Sequence, residues 1–157
     1  MSSADPFRFR RERSGESTDA FRFRHAVPVR FRDIDQMGHA HHTLPLVYIE
    51  EARTAYWRDV LGRAELDFIM GEVGVRFHHR IRYPSTLSVG VRTTRLGGRS
   101  LAMEYDIRDQ HGQVLADGWS EQVMYDYAAG RSKPVPDELR ERVLAFEQVP
   151  PETQRVD

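Results

Sequence analysis

The chain is 157 residues long and carries 23 basic and 24 acidic side chains, which gives a formal net charge of −1. A chain of this length buries roughly 70% of its unfolded surface, so one self-sufficient core is feasible and two compact domains are not expected. The balanced charge argues against a nucleic-acid-binding protein. The absence of cysteine excludes disulfide scaffolds, cysteine-ligated zinc sites and thiol nucleophiles.

The first twenty residues differ in composition from the rest of the chain. They contain closely spaced arginines, serine-containing stretches and few aliphatic side chains, which is typical of a flexible arm. We predict an arginine-rich N-terminal arm over residues 1–20, one folded domain over 21–148 and a C-terminal tail over 149–157. No apolar run is long enough to span a bilayer and no apolar signal-peptide core opens the chain, so we expect a soluble, cytoplasmic protein.

The first predicted element is a strand. Apolar side chains at odd positions from Phe21 to Phe31 alternate with arginines, which is the period-2 pattern of a half-buried strand. Pro28 lacks an N–H group, so this strand is expected near the edge of a sheet or with a bulge at this position. In the same phase, Asp33 and Asp35 follow on the apolar side. A carboxylate in that position requires hydrogen bonds or a function.

A glycine-containing loop and a long helix come next. Thr43 is a suitable N-cap, Pro45 is tolerated in a first turn, and Gly62 is a typical C-terminal stop. Between them, apolar side chains recur every three or four residues and form a broad stripe. The pattern predicts a long helix enclosed by other structure.

Four further strand-like runs follow a linker that ends at Gly71. Their alternating apolar positions are Val73, Val75, Phe77 and Ile81, then Leu87, Val89 and Val91, then Leu101, Met103, Tyr105 and Ile107, and finally Val123, Tyr125 and Tyr127. His78 and His79 lie in the first run, so one is expected in the core and the other in solvent. A short terminal helix capped by Asp137 completes the pattern.

The turns between these runs are short, which favours antiparallel hairpins over parallel crossovers. One long helix and a five-stranded antiparallel sheet can bury their apolar faces only against each other. We therefore predict an α+β fold in which the sheet curls around the helix.

Residues 29–53 resemble the signature of hotdog-fold acyl-CoA thioesterases of the 4-hydroxybenzoyl-CoA thioesterase type; their sequence is VRFRDIDQMGHAHHTLPLVYIEEAR. In that family a strand ends in an aspartate, a glycine and a polar or aromatic residue follow at fixed spacing, and a helix carries a Glu-x-Ala-Arg word. Asp35, Gly38, His42 and the Glu50–Arg53 word match these positions. The resemblance covers roughly residues 22–145 and implies the hotdog fold, an antiparallel five-stranded sheet wrapped around one long central helix.

The resemblance further implies hydrolysis of an acyl-CoA to a carboxylic acid and coenzyme A. Asp35 is the candidate general base or nucleophile, and His42 would orient the water or the acyl carbonyl. Thioester hydrolysis needs such a carboxylate and hydrogen-bond donors for the oxyanion, which amide groups at the start of the helix can supply. Arg82 and Arg99 are the arginines expected to meet the coenzyme A phosphates. The expected substrate-binding residues are Gly38, His39, Glu50, Arg99 and Ser100.

Alternatives stay open for several of these residues. Asp33 and Asp35 can cap the loop through Asx turns, and for Asp33 we expect a structural hydrogen bond. Glu50 and Arg53 lie three positions apart on the predicted helix and can form an ion pair. Glu50 is also the reserve candidate for the catalytic carboxylate.

Two other functions compete with the thioesterase hypothesis. His39, His41 and His42 together with the two aspartates form a ligand mixture that a hydrolytic metal could use, although they lack the helical spacing of zinc hydrolase motifs. A hotdog protein can also bind an acyl thioester without hydrolysing it, since fold does not determine function. We expect no metal and no bound cofactor, because coenzyme A arrives on the substrate.

The expected partners are the acyl-CoA substrate and further copies of the same chain. The resemblance implies a homodimer or homotetramer, because hotdog thioesterases place their sites between subunits. An unpaired sheet edge, which must be covered or paired, favours the same arrangement. No nucleic acid and no membrane are expected as partners.

Overall fold

The computed structural model describes residues 20–147 and the short strand at residues 152–153. Except for its last residue, the predicted arm over residues 1–20 lies outside the described residues, and so does the tail over 149–157 except for that strand. The elements in chain order are β1 (Phe23–Pro28), a 3-10 helix (Phe31–Asp33), α1 (Leu44–Asp59), β2 (Phe68–Phe77), β3 (Thr86–Leu96), β4 (Ser100–Arg108), β5 (Val114–Asp126), β6 (Arg131–Ser132), α2 (Asp137–Phe146) and β7 (Glu152–Thr153).

The five long strands form one antiparallel sheet in the order β1-β3-β4-β5-β2. Two short strands extend it, because β6 pairs with β5 and β7 runs parallel to β3. Strand β1 is an edge strand, as Pro28 predicts, and β2 forms the opposite edge. The predicted five-stranded antiparallel sheet is confirmed, with the two short strands as additions.

Helix α1 packs on the inner face of the sheet, mainly against β1, β3 and β4. Its buried side chains include Tyr48, Ile49, Ala52, Tyr56 and Trp57, and they meet the buried residues Val89, Val91, Leu101, Met103, Tyr105 and Ile107 of the sheet. Each large apolar side chain removed from water in this way contributes about 1.5–3 kcal/mol. The predicted α+β hotdog architecture is therefore confirmed. None of the described helices combines the length and the apolar character needed to cross a bilayer.

Strand β5 is longer than predicted, and the side chains predicted to be buried lie on its outer face. Its inner-face residues are Ala116, Gly118, Ser120, Gln122 and Met124, whereas the sequence pattern places Val123, Tyr125 and Tyr127 inside. Because most of these inner-face residues are small or polar, the alternation of buried and exposed positions in β5 does not appear as an alternation of apolar and polar residues in the sequence. Packing favours glycine at position 118, because a Cβ there would lie 3.0 Å from Cδ1 of Ile49 on α1.

Strand β2 begins earlier and ends earlier than predicted. It starts at Phe68 and carries a bulge between Met70 and Glu72, so the predicted linker through Gly71 is wrong. A bulge inserts one residue and interrupts the alternation that identifies a strand. His78 and His79 lie after the end of β2 and are both exposed, which contradicts the expectation that one of them is in the core.

The helix ends differ from the predictions in their capping. The Thr43 side chain does not cap α1; its Oγ1 lies 2.8 Å from Nδ1 of His41. Pro45 lies in the first turn as expected, and Gly62 adopts a left-handed φ of 66° just after the helix. Asp137 is the first residue of α2, and Pro136 occupies the N-cap position.

Candidate active site

The loop between the 3-10 helix and α1 closes on itself as a tight turn. An isolated bridge joins Ile34 to Ala40, and inside it the N–H of Asp35 donates to the carbonyl of His39 at 3.1 Å. The N–H of Gly38 donates to the carbonyl of Asp35 at 3.0 Å, and Gly38 has a φ of 81°, a conformation that favours glycine. The turn therefore holds Asp35 directly opposite His39.

The Asp35 carboxylate is half-buried and anchored at one oxygen. Its Oδ1 accepts the N–H of Met37 at 2.8 Å, which is the Asx turn expected as the structural alternative. Its Oδ2 accepts no hydrogen bond from the part of the chain that the structure describes. One oxygen therefore fixes the orientation of the side chain and the other has no donor among the described residues; Asp35 itself does not line the cleft described below, which its neighbour His39 does.

Asp33 is the buried carboxylate of the same loop, with 5% of its surface exposed. Its Oδ2 accepts the N–H of Arg30 at 2.9 Å and the hydroxyl of Tyr48 at 2.8 Å. Burial and then the hydrogen bond to Asp33 raise the pKa of Tyr48 above its ordinary value. The expected structural hydrogen bond of Asp33 is confirmed.

A cleft of about 670 Å³ lies beside this loop. The loop and the segment after β2 meet there, because the N–H of Ala40 donates to the carbonyl of Ile81 at 2.8 Å. Pro45, Phe77 and Leu115 supply apolar lining, and none of the described residues that line the cleft is acidic. The basic and imidazole side chains that line it are His39, His42, His78, His79, Arg80 and Arg82. This cleft suits a ligand with negative charge next to an apolar group.

The segment after β2 brings Arg82, one of the two arginines expected to meet phosphate groups, to the cleft, together with His78, His79 and Arg80, for which the sequence pattern indicates no site role. His78 is held in place by Asp117 of β5, whose Oδ2 lies 2.6 Å from Nε2 of the imidazole. Arg76 contacts the other oxygen of Asp117 at 3.1 Å. The basic run from His78 to Arg82, directly after a strand, is the sequence signal that could have identified this side of the cleft.

The amide groups at the start of α1 are mostly engaged. The N–H groups of Thr43 and Leu44 both donate to His41, and Pro45 has no N–H. By contrast, the N–H of His42 donates to no acceptor among the described residues. Since His42 lines the cleft, its amide is the better candidate donor for an oxyanion.

Glu50 lies apart from this cleft. It is exposed on α1 and lines a separate depression of about 350 Å³ with His25 and Arg58. The predicted ion pair between Glu50 and Arg53 does not form: neither side chain belongs to an ion pair in the described chain, and Arg53 points to Tyr105 instead.

Arg99 and Ser100 lie at the far end of the sheet. Arg99 donates to the carbonyl of Ser132 at 2.8 Å, and Ser100 pairs with Val123 of β5. Ala116 lines the cleft seven residues earlier on β5, and at strand spacing this is a separation of roughly 23 Å. One protomer therefore does not bring Arg99 and Ser100 together with Asp35.

The histidines of the loop do not converge on one point. The rings of His41 and His42 stack with their centroids 4.1 Å apart. Across residues 20–147, no group of three His, Asp or Glu side chains is arranged to hold a metal ion. The geometry of this chain gives no support to a metal centre built from His39, His41 and His42.

The sequence matches the family model of the Thioesterase-like superfamily over residues 29–143. No curated protein matches it significantly. Among solved structures, a thioesterase from Thermus thermophilus, in complex with coenzyme A and Zn, is 33% identical with a TM-score of 0.76, over 84% of this chain and 98% of that one.

Two more distant structures share the fold. A thioesterase superfamily protein from Jannaschia sp. CCS1 is 22% identical with a TM-score of 0.77, over 85% of this chain and 98% of that one. A gentisyl-coenzyme A thioesterase is 19% identical with a TM-score of 0.71, over 77% and 99%. The family model spans most of the chain, and one third of the aligned residues are shared with the Thermus protein. This chain belongs to the thioesterase-like superfamily.

Proposed function

We propose that this protein hydrolyses acyl-CoA thioesters to a carboxylic acid and free coenzyme A. Membership of the superfamily supports thioester hydrolysis in general, and a relative binds coenzyme A. The observation that carries the finer proposal is the loop geometry. The Asp35 carboxylate, with one oxygen anchored by Met37, lies in a tight turn opposite His39, which lines a basic cleft.

In the proposed reaction, Asp35 acts as general base. Its Oδ2 takes a proton from a water molecule as the water oxygen attacks the thioester carbonyl. The N–H of His42 stabilises the oxyanion of the tetrahedral intermediate, and the imidazole of His42 orients the water or the carbonyl. When the C–S bond breaks, the proton returns to the thiolate of coenzyme A. In the nucleophilic variant, Oδ2 attacks the carbonyl, the C–S bond breaks and the thiolate of coenzyme A leaves, and water then cleaves the resulting anhydride to the carboxylic acid and free Asp35.

The cleft has the chemistry to hold coenzyme A. His39 lines the cleft and would meet the thioester with the adjacent Gly38, and guanidinium groups such as Arg82 match the geometry of phosphate oxygens. Arg99 and Ser100 remain candidate substrate contacts through a second protomer, since one protomer separates them from Asp35. Glu50, on the separate depression of α1, remains the reserve carboxylate.

We also propose that the working form is a homo-oligomer. Strand β2 is an edge strand of ten residues, and three of its large apolar side chains, Ile69, Val73 and Phe77, are exposed. Long apolar edge strands are sites of pairing between chains unless they are covered. A second copy of this chain would pair with this edge.

The proposed function is tested by release of free thiol from a panel of acetyl-, hexanoyl-, decanoyl- and benzoyl-CoA, with and without a chelator. We expect release well above spontaneous hydrolysis for at least one thioester, unchanged by the chelator. Binding of the thioesters without any release would identify a binding protein instead. Loss of activity with the chelator, restored by added zinc, would identify a metal-dependent hydrolase.

A further inference from the structure

Arg53 is a buried cation without a counter-charge. It lies on α1 with 8% of its surface exposed, and its guanidinium points across the inner face of the sheet. Its Nη1 lies 3.5 Å from the hydroxyl of Tyr105, and its Cζ lies 5.8 Å from the ring centroid of Phe68. No carboxylate of the described chain lies within ion-pairing distance of it. Buried arginines are normally paired, because removing the charge from water is unfavourable.

Through Tyr105, this guanidinium adjoins a group of other buried polar side chains. Tyr105, Ser120 and Gln122 are almost completely buried. Nε2 of Gln122 donates to Oγ of Ser120, and it lies 3.4 Å from the hydroxyl of Tyr105. Oε1 of Gln122 is buried and accepts no hydrogen bond from the described residues. Arg53, Tyr105, Ser120 and Gln122, called the Arg53 cluster below, thus combine a positive charge that has no counter-charge with polar groups inside the core.

An apolar strip connects the Arg53 cluster to the cleft. Residues that face each other across an antiparallel pair lie on the same side of the sheet. The pairs on the inner face are Phe77 with Ala116, Val75 with Gly118 and Val73 with Ser120. Phe77 and Ala116 line the cleft, and Ser120 belongs to the cluster. At strand spacing, Ala116 and Ser120 are separated by roughly 13 Å.

This strip is open to solvent in the single chain. Phe77 is 57% exposed and Val73 is 41% exposed, because α1 packs mainly on β1, β3 and β4 and covers only the start of β2, at Phe68. A flexible apolar chain that starts at the cleft and lies along β2 would reach the Arg53 cluster with its far end. The charge of Arg53 then favours a carboxylate at that end over a methyl group or a hydroxyl.

We propose that the strip holds the acyl chain of the substrate and that the Arg53 cluster binds a terminal carboxylate, so that the preferred substrates are CoA thioesters of dicarboxylic acids. This inference rests on the proposed acyl-CoA hydrolysis. It assigns Arg53 a role in specificity, because the guanidinium contacts the end of the chain that does not react.

The test compares CoA thioesters whose acyl chains have the same number of carbon atoms. kcat/KM is measured for adipoyl-, suberoyl- and sebacoyl-CoA against hexanoyl-, octanoyl- and decanoyl-CoA. We expect at least one dicarboxylic thioester to exceed its matched monocarboxylic thioester by about tenfold or more. If kcat/KM for all three dicarboxylic thioesters is equal to or lower than that of their matched monocarboxylic thioesters, this inference is overturned but the proposed acyl-CoA hydrolysis is not. A panel with no hydrolysis at all would contradict the proposed function as well.

Two variants separate recognition from a structural role of Arg53. Arg53→Met removes the charge and keeps the chain length, so it should raise KM for the preferred dicarboxylic thioester and abolish the preference. Gln122→Glu supplies an internal counter-charge for Arg53 and should abolish the preference in a protein that keeps the guanidinium. Arg95→Met is the control, because Arg95 pairs with Glu121 away from the strip. An equal loss on both substrate series in both test variants would assign Arg53 a structural role and overturn the inference.

Discussion

Asp33 and Asp35 lie two positions apart in one loop but have different surroundings. Asp33 is buried and accepts hydrogen bonds from Arg30 and Tyr48. Asp35 is half-buried and accepts one hydrogen bond, from Met37. The sequence pattern places both carboxylates at the end of a buried strand face and cannot distinguish them, because the donors that satisfy Asp33 include a tyrosine fifteen positions away. The structure distinguishes a buried carboxylate that accepts two hydrogen bonds from a half-buried one whose Oδ2 accepts none from the described residues.

Tyr48→Phe tests the structural role of Asp33. The change leaves the buried carboxylate with one fewer donor, so the free energy of unfolding should fall by about 1–3 kcal/mol. Urea denaturation measures this loss. Tyr83→Phe is the matched control, because Tyr83 is 48% exposed and its ring packs on Phe31 without a hydrogen bond from its hydroxyl in the described chain. Equal stability of Tyr48→Phe and the wild type would contradict the assigned role.

Among the secondary-structure elements, α2 is attached to the rest of the fold through a buried carboxylate at its end. Oε1 of Glu147 accepts the hydroxyl of Tyr56 on α1 and the N–H of Thr93 on β3, the latter at 3.0 Å. Burial raises the pKa of Glu147, and these hydrogen bonds together with the nearby Arg92 partly oppose the increase. The folded protein therefore binds a proton at Glu147 more tightly than the unfolded chain does.

The raised pKa of Glu147 predicts the direction of a pH effect on stability. Above the ordinary glutamate pKa of about 4.3, folding must keep an ionised group buried, so the contribution of Glu147 to stability falls as the pH rises toward its raised pKa. Glu147→Gln keeps the acceptor oxygen and removes the ionisation. The wild type should therefore lose stability relative to this variant as the pH rises above about 4.3.

Urea denaturation of Glu147→Gln and the wild type over a pH series measures this difference. Glu141→Gln, on the exposed side of α2, is the control and should run parallel to the wild type. A stability difference between Glu147→Gln and the wild type that does not change with pH would contradict the role of Glu147.

The elements that could be predicted from the sequence are those whose inner faces carry large apolar side chains. Strands β3 and β4 have Val89, Val91, Met103 and Tyr105 at alternating buried positions, and their predictions are confirmed. Strand β5 was predicted in the wrong phase because its inner face is small or polar where α1 approaches, as at Gly118. Such positions can be recognised only when the packing of the helix is known.

On the scale of the whole molecule, the fold class could be predicted but the cleft could not. One amphipathic helix and a meander of strands allow few arrangements, so the α+β architecture follows from the order of elements. The cleft depends on a contact between segments that are distant in the sequence. The hydrogen bond from Ala40 to Ile81 brings the loop of Asp35 next to His78 and Arg80. No periodicity in the sequence reports such a contact.

The exposed edge of β2 predicts the assembly of the protein. Light scattering should give the mass of a dimer or tetramer of the 18.3 kDa chain. Ile69→Lys places a charge on this edge strand and should shift the mass toward the monomer, because lysine on an edge opposes pairing between chains. Leu144→Lys, at an exposed apolar position of α2, is the control and should leave the mass unchanged. A fully active wild-type monomer would contradict the proposed assembly.

Asp35→Asn tests most directly whether the Asp35 carboxylate performs the hydrolysis. Asparagine retains an oxygen for the N–H of Met37, so the loop should keep its shape while the base is lost. Asp126→Asn is the matched control, because Asp126 accepts the N–H groups of Ala128 and Ala129 in a turn at the other end of β5.

The measurement is kcat/KM for thiol release from an acyl-CoA that the wild type hydrolyses. For Asp35→Asn we predict a fall of about 10²-fold or more with unchanged folding, and for Asp126→Asn no change. Near-normal turnover by Asp35→Asn would contradict the account.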